Sequence, residues 1–180
     1  MKKSQIRKIV LKKRDLFNIK NKKINFKNLL KLLNQKSVNK KIGLYFPIGS
    51  EVCTIDLIEN LRKKNYIISL PVIDKNFDMS FYEWAKNNPL NINKFGIPEP
   101  LRSKKIIPST LIIPLLAFDI NLNRLGYGGG FYDRFISKLE KTKKILKIGL
   151  ALSCQKINKV PTNRFDKKMN YILTENKVYK

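Results

Sequence analysis

The stretch of this 180-residue chain best suited to chemistry is RLGYGGGFYDR, Arg124 to Arg134, where four of the chain's 8 glycines fall within positions 126–130. Glycine lets the backbone approach a ligand closely and take positive φ. Successive amide N–H groups at the start of a helix make a cradle for anions, and the helix dipole reinforces it. Arg124 and Arg134 add positive charge at either end. Phosphate is the guest such a run suits. Asp133 could hold Mg2+ against bound phosphates, because that ion takes one or two carboxylates plus substrate oxygens. It could equally be an acidic residue placed favourably near a helix N-terminus. Spacing alone does not decide between the two. A second carboxylate, Asp166, lies in the Pro-led loop VPTNRFD (160–166). The standard phosphate signatures do not fit, since the run ends Gly-Phe-Tyr-Asp rather than Gly-Lys-Ser/Thr and comes too late for a dinucleotide fingerprint after a first strand.

The remaining chemistry is bounded by what is missing. The chain has no histidine, which excludes His-based triads, His metal ligands and imidazole acid–base work. Cys53 and Cys154, its 2 cysteines, are far apart and in no metal-like spacing, so they read as idle thiols. Reactions must therefore rest on carboxylates, Lys, Arg, Tyr, backbone amides or an oxygen-bound metal. Lys3 and Arg7, one helical turn apart, could point at phosphates or belong to a solvated face. Glu51 is one of only 13 acidic residues and precedes a helix cap.

The formal charge of +25 raises a second class, a basic RNA- or ribosome-associated protein. Lysine outnumbers arginine 31 to 7, although arginine is the better reader of phosphate and guanine. The aromatics gather around glycine and proline loops instead of on a sheet face, as an RNA binder would place them. Most of the charge reads as solvated faces. No apolar run is long enough for a membrane span, and the basic N-terminus lacks the apolar core of a signal peptide, so a cytoplasmic protein is expected.

The elements that must position these residues follow from periodicity. Residues 4–18 read as an amphipathic helix with Ser4 as N-cap and Ile6, Ile9, Val10, Lys13 and Phe17 on its inner face. Further helices are expected at 26–33, 54–65 (capped by Thr54) and 132–139. Strands are expected at 42–47, 66–73, 78–84, 109–119, 145–152 and 170–175, with an irregular stretch at 87–108 where Pro and Gly recur. Trp84 reads as core. Strands alternating with helices imply one α/β domain, residues 1–180, with three layers and a mostly parallel central sheet. In such sheets ligands bind beyond the carboxyl ends of the strands, which is where the glycine run falls.

At these residues the chain resembles the 5-formyltetrahydrofolate cyclo-ligases, also called 5,10-methenyltetrahydrofolate synthetases. The core of the likeness is PLLAFDINLNRLGYGGGFYDR (114–134), similar to that family's P-x-x-x-F-D … R-L-G-x-G-x-G-[YF]-Y-D. KSQIR (3–7), YFPIGSEVCT (45–54), FGIPEP (95–100) and VPTNRFD (160–166) resemble its other segments in the same order. The resemblance implies ATP- and Mg2+-dependent closure of 5-formyltetrahydrofolate to 5,10-methenyltetrahydrofolate by a monomer, with release of ADP and phosphate. It implies catalytic roles for Arg124 and Asp133. ATP contacts fall on Lys3, Arg7, Arg124, Leu125, Gly126, Tyr127, Gly128, Gly129, Gly130, Phe131 and Tyr132. Contacts to the reduced folate, polyglutamylated or not, fall on Phe46, Glu51, Phe95, Tyr127, Gly128, Gly129, Gly130 and Phe131, with the Glu51 carboxylate matched to the paired N–H donors of the pterin. Asp133 and Asp166 become the Mg2+ ligands. The chain has Gly129 where some members carry Lys, and Asn163 and Phe165 where many bacterial members carry Glu and His. A coenzyme A-transferring or sugar-phosphate enzyme would share the fold class but give no reason for Asp166.

Overall fold

The structure is a computed structural model that describes residues 1–17, 24, 26–35, 39–74, 76, 78–94 and 96–180. Helix α1 spans Lys3–Leu16, with Ile6, Val10 and Arg14 buried at intervals of one helical turn. Its start is set by Lys2, in extended backbone, whose N–H donates to Gln5 Oε1 at 2.9 Å. Ser4 therefore lies inside the first turn and is not the cap. Ile9, expected on the inner face, is 55% exposed, and Arg14 occupies the buried position one turn beyond Val10.

Helix α2 (Lys27–Gln35) follows, then strand β1 (Lys41–Gly43), helix α3 (Ile55–Lys63), and strands β2 (Ile67–Ile73) and β3 (Met79–Glu83). Thr54 precedes α3, but its Oγ1 donates to the Tyr45 carbonyl at 2.8 Å, which ties the helix start to the segment after β1. The stretch 87–108, expected to be irregular, carries a short antiparallel pair, β4 (Leu90–Ile92) with β5 (Pro98–Pro100), and strand β6 (Lys105–Ile106). Proline is tolerated there because strand edges and ends need fewer backbone donors.

Strand β7 (Thr110–Pro114) and the hairpin of β8 (Ala117–Phe118) with β9 (Arg124–Leu125) replace the single strand expected at 109–119. The chain breaks at Leu115–Leu116, whose carbonyls accept from the buried Gln155 amide at 2.6 and 3.0 Å. Helix α4 (Phe131–Leu139), strand β10 (Leu146–Leu150), a 3-10 turn (Ser153–Gln155), and strands β11 (Tyr171–Leu173) and β12 (Val178–Tyr179) complete the order.

The main sheet runs β12-β11-β10-β7-β1-β2-β3-β6. β11, β10, β7, β1 and β2 are mutually parallel, and β12, β3 and β6 pair antiparallel at the two edges. Both faces are covered. Leu29 and Leu33 of α2 and Leu57, Ile58 and Leu61 of α3 pack with Ile42, Ile68 and Ile148 on one side. Ile136 of α4 packs with Phe81, Leu111 and Ile113 on the other. Burial on both faces explains why β7 is apolar throughout rather than alternating. Gly43 sits where the layers come closest, since a Cβ there would stand 2.7 Å from the Phe81 ring and 2.8 Å from Leu111. In chain order the parallel strands start at β1, add β2 on one side, then β7, β10 and β11 on the other. The reversal between β1 and β7 opens a crevice at their carboxyl ends.

Candidate active site

A cleft of about 1080 Å³ lies at that crevice. The segment after β1 contributes Tyr45, Phe46 and Glu51, the β9–α4 connection contributes Arg124 through Asp133, α1 contributes Lys3, Arg7 and Arg14, and the late loop contributes Asn163, Phe165 and Asp166. Segments more than 100 residues apart thus meet in one place. Every site residue singled out in the sequence lines this cleft except Phe95, which lies outside the described residues.

The glycine run forms the floor. Gly128 has φ +117° and Gly130 φ +65°, backbone conformations that side chains resist. Gly130 is the N-cap of α4, and the first turn, whose amides have no intrahelical partner, lines the cleft through Phe131, Tyr132 and Asp133. A side chain on Gly129 would require the Phe131 ring to move, because a Cβ would stand 2.4 Å from it. Arg7, which also lines the cleft, holds the run, its Nε donating to the Gly126 carbonyl at 2.8 Å.

Arg124 is sequestered, its side chain 4% exposed, and its Nη2 donates to Asp133 Oδ1 at 2.7 Å. Its buried Nε has no hydrogen-bond partner among the described residues. An unsatisfied buried donor costs free energy unless a ligand or water answers it. Asp133 Oδ1 also accepts from the Lys167 amide at 3.0 Å. Asp166 is arranged alike, its Oδ2 taking Lys3 Nζ at 2.6 Å and the Asn163 amide at 2.6 Å. Each carboxylate thus commits one oxygen, while Asp133 Oδ2 and Asp166 Oδ1 carry no hydrogen bond among the described residues. No group of three or more His, Cys, Asp or Glu forms among those residues. Two carboxylates with a free oxygen each fit Mg2+, which completes its shell with water and phosphate oxygens.

Glu51 Oε2 accepts from the Ile48 amide at 3.0 Å, and the Tyr127 hydroxyl bonds the same carboxylate. Burial pushes the Glu51 carboxyl above its ordinary range, against these hydrogen bonds and the Arg14 charge, which favour the anion. Burial likewise raises the phenols of Tyr45, Tyr127 and Tyr132, so all three stay protonated. Phe46 meets Trp84 edge to face at a centroid distance of 6.2 Å, and Trp84 packs at the margin of the core.

The hairpin that delivers Arg124 is fixed by Asp119, fully buried, which accepts from the Asn121 and Asn123 amides and from the Val160 amide of the late loop. Arg14, Tyr45 and Glu99 are among the lining residues that the sequence did not single out. For Arg14 a signal existed, because positions 3, 7 and 14 fall on one helical face. Cys53 and Cys154 are both free thiols, as expected. No helix among the described residues is long and apolar enough to cross a membrane.

Comparison with known proteins places this geometry. The family model for the 5-formyltetrahydrofolate cyclo-ligase family matches residues 1–175. A 5-formyltetrahydrofolate cyclo-ligase of Haemophilus influenzae is 37% identical over 145 residues, covering 76% of each chain. One from Mycoplasma genitalium is 35% identical over 159 residues, covering 85% of this chain and 86% of its own. The structure of Aquifex aeolicus 5,10-methenyltetrahydrofolate synthetase superposes with a TM-score of 0.83 at 31% identity, covering 100% of this chain and 93% of that one. With a family match across nearly its whole length, and with the glycine turn, the buried arginine and the two aspartates meeting in one cleft, the chain belongs to the 5-formyltetrahydrofolate cyclo-ligase family.

Proposed function

We propose that the chain converts 5-formyltetrahydrofolate to 5,10-methenyltetrahydrofolate, consuming ATP and requiring Mg2+. One observation carries the reading: a glycine turn at a helix N-terminus, with the buried Arg124, lines the same cleft as a half-buried carboxylate, Glu51, flanked by aromatic side chains. The first half suits a triphosphate and the second a flat ring with N–H donors.

The chemistry asks for positioning and charge stabilisation more than for a strong base. The N5-formyl carbon is a weak electrophile and its oxygen a poor leaving group. Transfer of the γ-phosphoryl group to that oxygen activates it, N10 attacks the formyl carbon and gives up its proton to solvent, and the C–O bond breaks to release phosphate. In this scheme the amides of Gly128 to Phe131 and the Arg124 guanidinium neutralise phosphoryl oxygens. Lys3 and Arg7 take the outer phosphates. Asp133 and Asp166 hold Mg2+, which supplies positive charge to the phosphates. Glu51 accepts the pterin N–H groups, and Phe46, joined by Phe95 on the strength of the family resemblance, packs on the ring system. A monomer is the working unit in this reading.

The test is an optical assay for the methenyl product with purified protein and 5-formyltetrahydrofolate. Product that forms only with both ATP and Mg2+ present is the expected outcome. Folded protein that yields none with all components present refutes the proposal.

A further inference from the structure

Four charged side chains are buried among the described residues: Arg14, Glu99, Asp119 and Arg124. Asp119 closes its hairpin, Arg124 pairs with Asp133, and Glu99 accepts the Ile73 amide and the Asn93 side chain. Arg14 has no such local duty. It is 3% exposed and has no carboxylate within ion-pair distance among the described residues. Its two hydrogen bonds go to hydroxyls, Nη1 to Tyr127 at 2.8 Å and Nε to Ser50 Oγ at 2.9 Å. Each hydroxyl leads on to a carboxylate, Tyr127 to Glu51 and Ser50 to Asp15.

A phenol has one hydrogen. Because Tyr127 accepts from Arg14, which can only donate, its own hydrogen is left for an acceptor, and Glu51 is the carboxylate beside it. A guanidinium removed from water without a direct counter-ion is costly, so its retention points to a role beyond packing.

We infer that Arg14 is a positioning residue for substrate recognition: anchored on the Ser50 hydroxyl and acting through the Tyr127 hydroxyl, it holds the Glu51 carboxylate in the orientation that accepts the paired N–H donors of the pterin. This rests on the folate reading of that wall. The groups facing Glu51 are Arg14 from α1, Tyr127 from the glycine run, Tyr45 after β1 and Tyr132 from α4. Asp15 stands behind Ser50. Of the four facing groups only Arg14 is charged at neutral pH, since phenols are protonated there and all three are shifted further up from the ordinary 10.0. Both Arg14 and the Tyr127 hydrogen bond favour the Glu51 anion, so loss of either makes Glu51 take up a proton at higher pH.

The experiment measures 5-formyltetrahydrofolate binding without nucleotide, as a function of pH, for the wild type, Arg14→Met, Arg14→Lys, Tyr127→Phe and the Arg14→Met/Tyr127→Phe double variant. The KM for Mg-ATP is measured alongside. Arg14→Met is expected to weaken folate binding by about tenfold or more, the size of a lost hydrogen bond involving a charged group. Its acid limb should move to higher pH, while Arg14→Lys keeps the limb near the wild-type position. The double variant should bind no more than about twofold worse than Arg14→Met, because both changes cut one relay. Should Arg14→Met fail to fold, Tyr127→Phe tests the same limb shift. Additive losses, an unmoved acid limb, or an equal loss in the KM for Mg-ATP overturns the inference. Wild-type protein that binds Mg-ATP but no 5-formyltetrahydrofolate overturns the folate reading itself, and this inference with it.

Discussion

Asp133 has two roles open to it, as partner of a buried arginine and as ligand of a metal, and Asp133→Asn separates them. Both bonds that the fold makes to this side chain, from Arg124 Nη2 at 2.7 Å and from the Lys167 amide at 3.0 Å, fall on Oδ1. Asparagine keeps a carbonyl oxygen there, so both can survive. What changes is the charge, and the atom at Oδ2 becomes an NH2 group that repels a cation. The stability cost is that of exchanging a charge-assisted hydrogen bond for a neutral one, about 1 kcal/mol, which for a chain of this size lowers Tm by about 2–4 °C. Asp133→Ala is harsher. It removes both acceptors and strands a guanidinium whose Nε already lacks a partner among the described residues, at about 2–3 kcal/mol.

Activity should follow a different order. If Asp133 holds the metal with its free oxygen, both substitutions lower kcat/KM by on the order of a hundredfold or more, although one protein is nearly as stable as the wild type. The assay pairs methenyl formation at saturating Mg2+ with urea unfolding of the same samples. If Asp133→Asn turns over within about threefold of the wild type, its value lies in pairing Arg124, and the metal role is wrong.

Three further outcomes follow from the geometry. Glu51→Gln should be more stable than the wild type at neutral pH: burial raises the folded-state carboxyl above its ordinary 4.5, so ionisation costs the wild type stability as pH rises through the raised value. That advantage should vanish below the ordinary carboxylate value, and urea midpoints taken across the pH range would expose the reasoning if it persists there. Gly128→Ala forces a Cβ onto backbone at φ +117° and within 3.5 Å of the Arg7 guanidinium, so about 1–3 kcal/mol of strain should appear as lower Tm and a raised KM for Mg-ATP. An unchanged KM would mean the loop does not cradle phosphate. Lys3→Met breaks an ion pair with Asp166 that is partly open to solvent, so stability should change by less than about 1 kcal/mol while the KM for Mg-ATP rises severalfold, and equal KM values would remove Lys3 from the phosphate contacts.

Much of this site was legible because its parts announce themselves locally. The glycine run sits between a strand and a helix, and Gly128 and Gly130 do take positive φ, as their residue type allows. Parallel strands alternating with helices were readable from apolar period alone. The misses are non-local. The expected strand at 109–119 breaks at Leu115–Leu116 because Gln155, some 40 residues on, supplies donors to the stranded carbonyls. Nothing within the run LLAFD signals this. Thr54 looked like a helix cap and precedes the helix, yet its hydroxyl is spent on Tyr45. A cap motif shows where a helix starts, but not which acceptor tertiary packing will offer.

Arg14 is the most instructive case. Hydrophobic periodicity assigns the inner face of α1 to apolar residues, and by that rule a charged side chain near the end of a lysine-rich helix belongs in solvent. The helix instead buries Ile6 and Val10 toward Ala117, Leu125 and Val160, then presents Arg14 one turn further to the cleft wall. Read by position rather than hydropathy, Lys3, Arg7 and Arg14 form one cationic stripe whose members reach Asp166, the Gly126 carbonyl and the Tyr127 hydroxyl in turn. One rigid helix therefore spans the cleft from the carboxylate-bearing late loop to the Glu51 wall. Displacing it at one end must move contacts at the other. Any substitution that tilts α1, such as Val10→Ala beneath the stripe, should for that reason impair both substrates together, whereas changes to a single stripe residue should impair one.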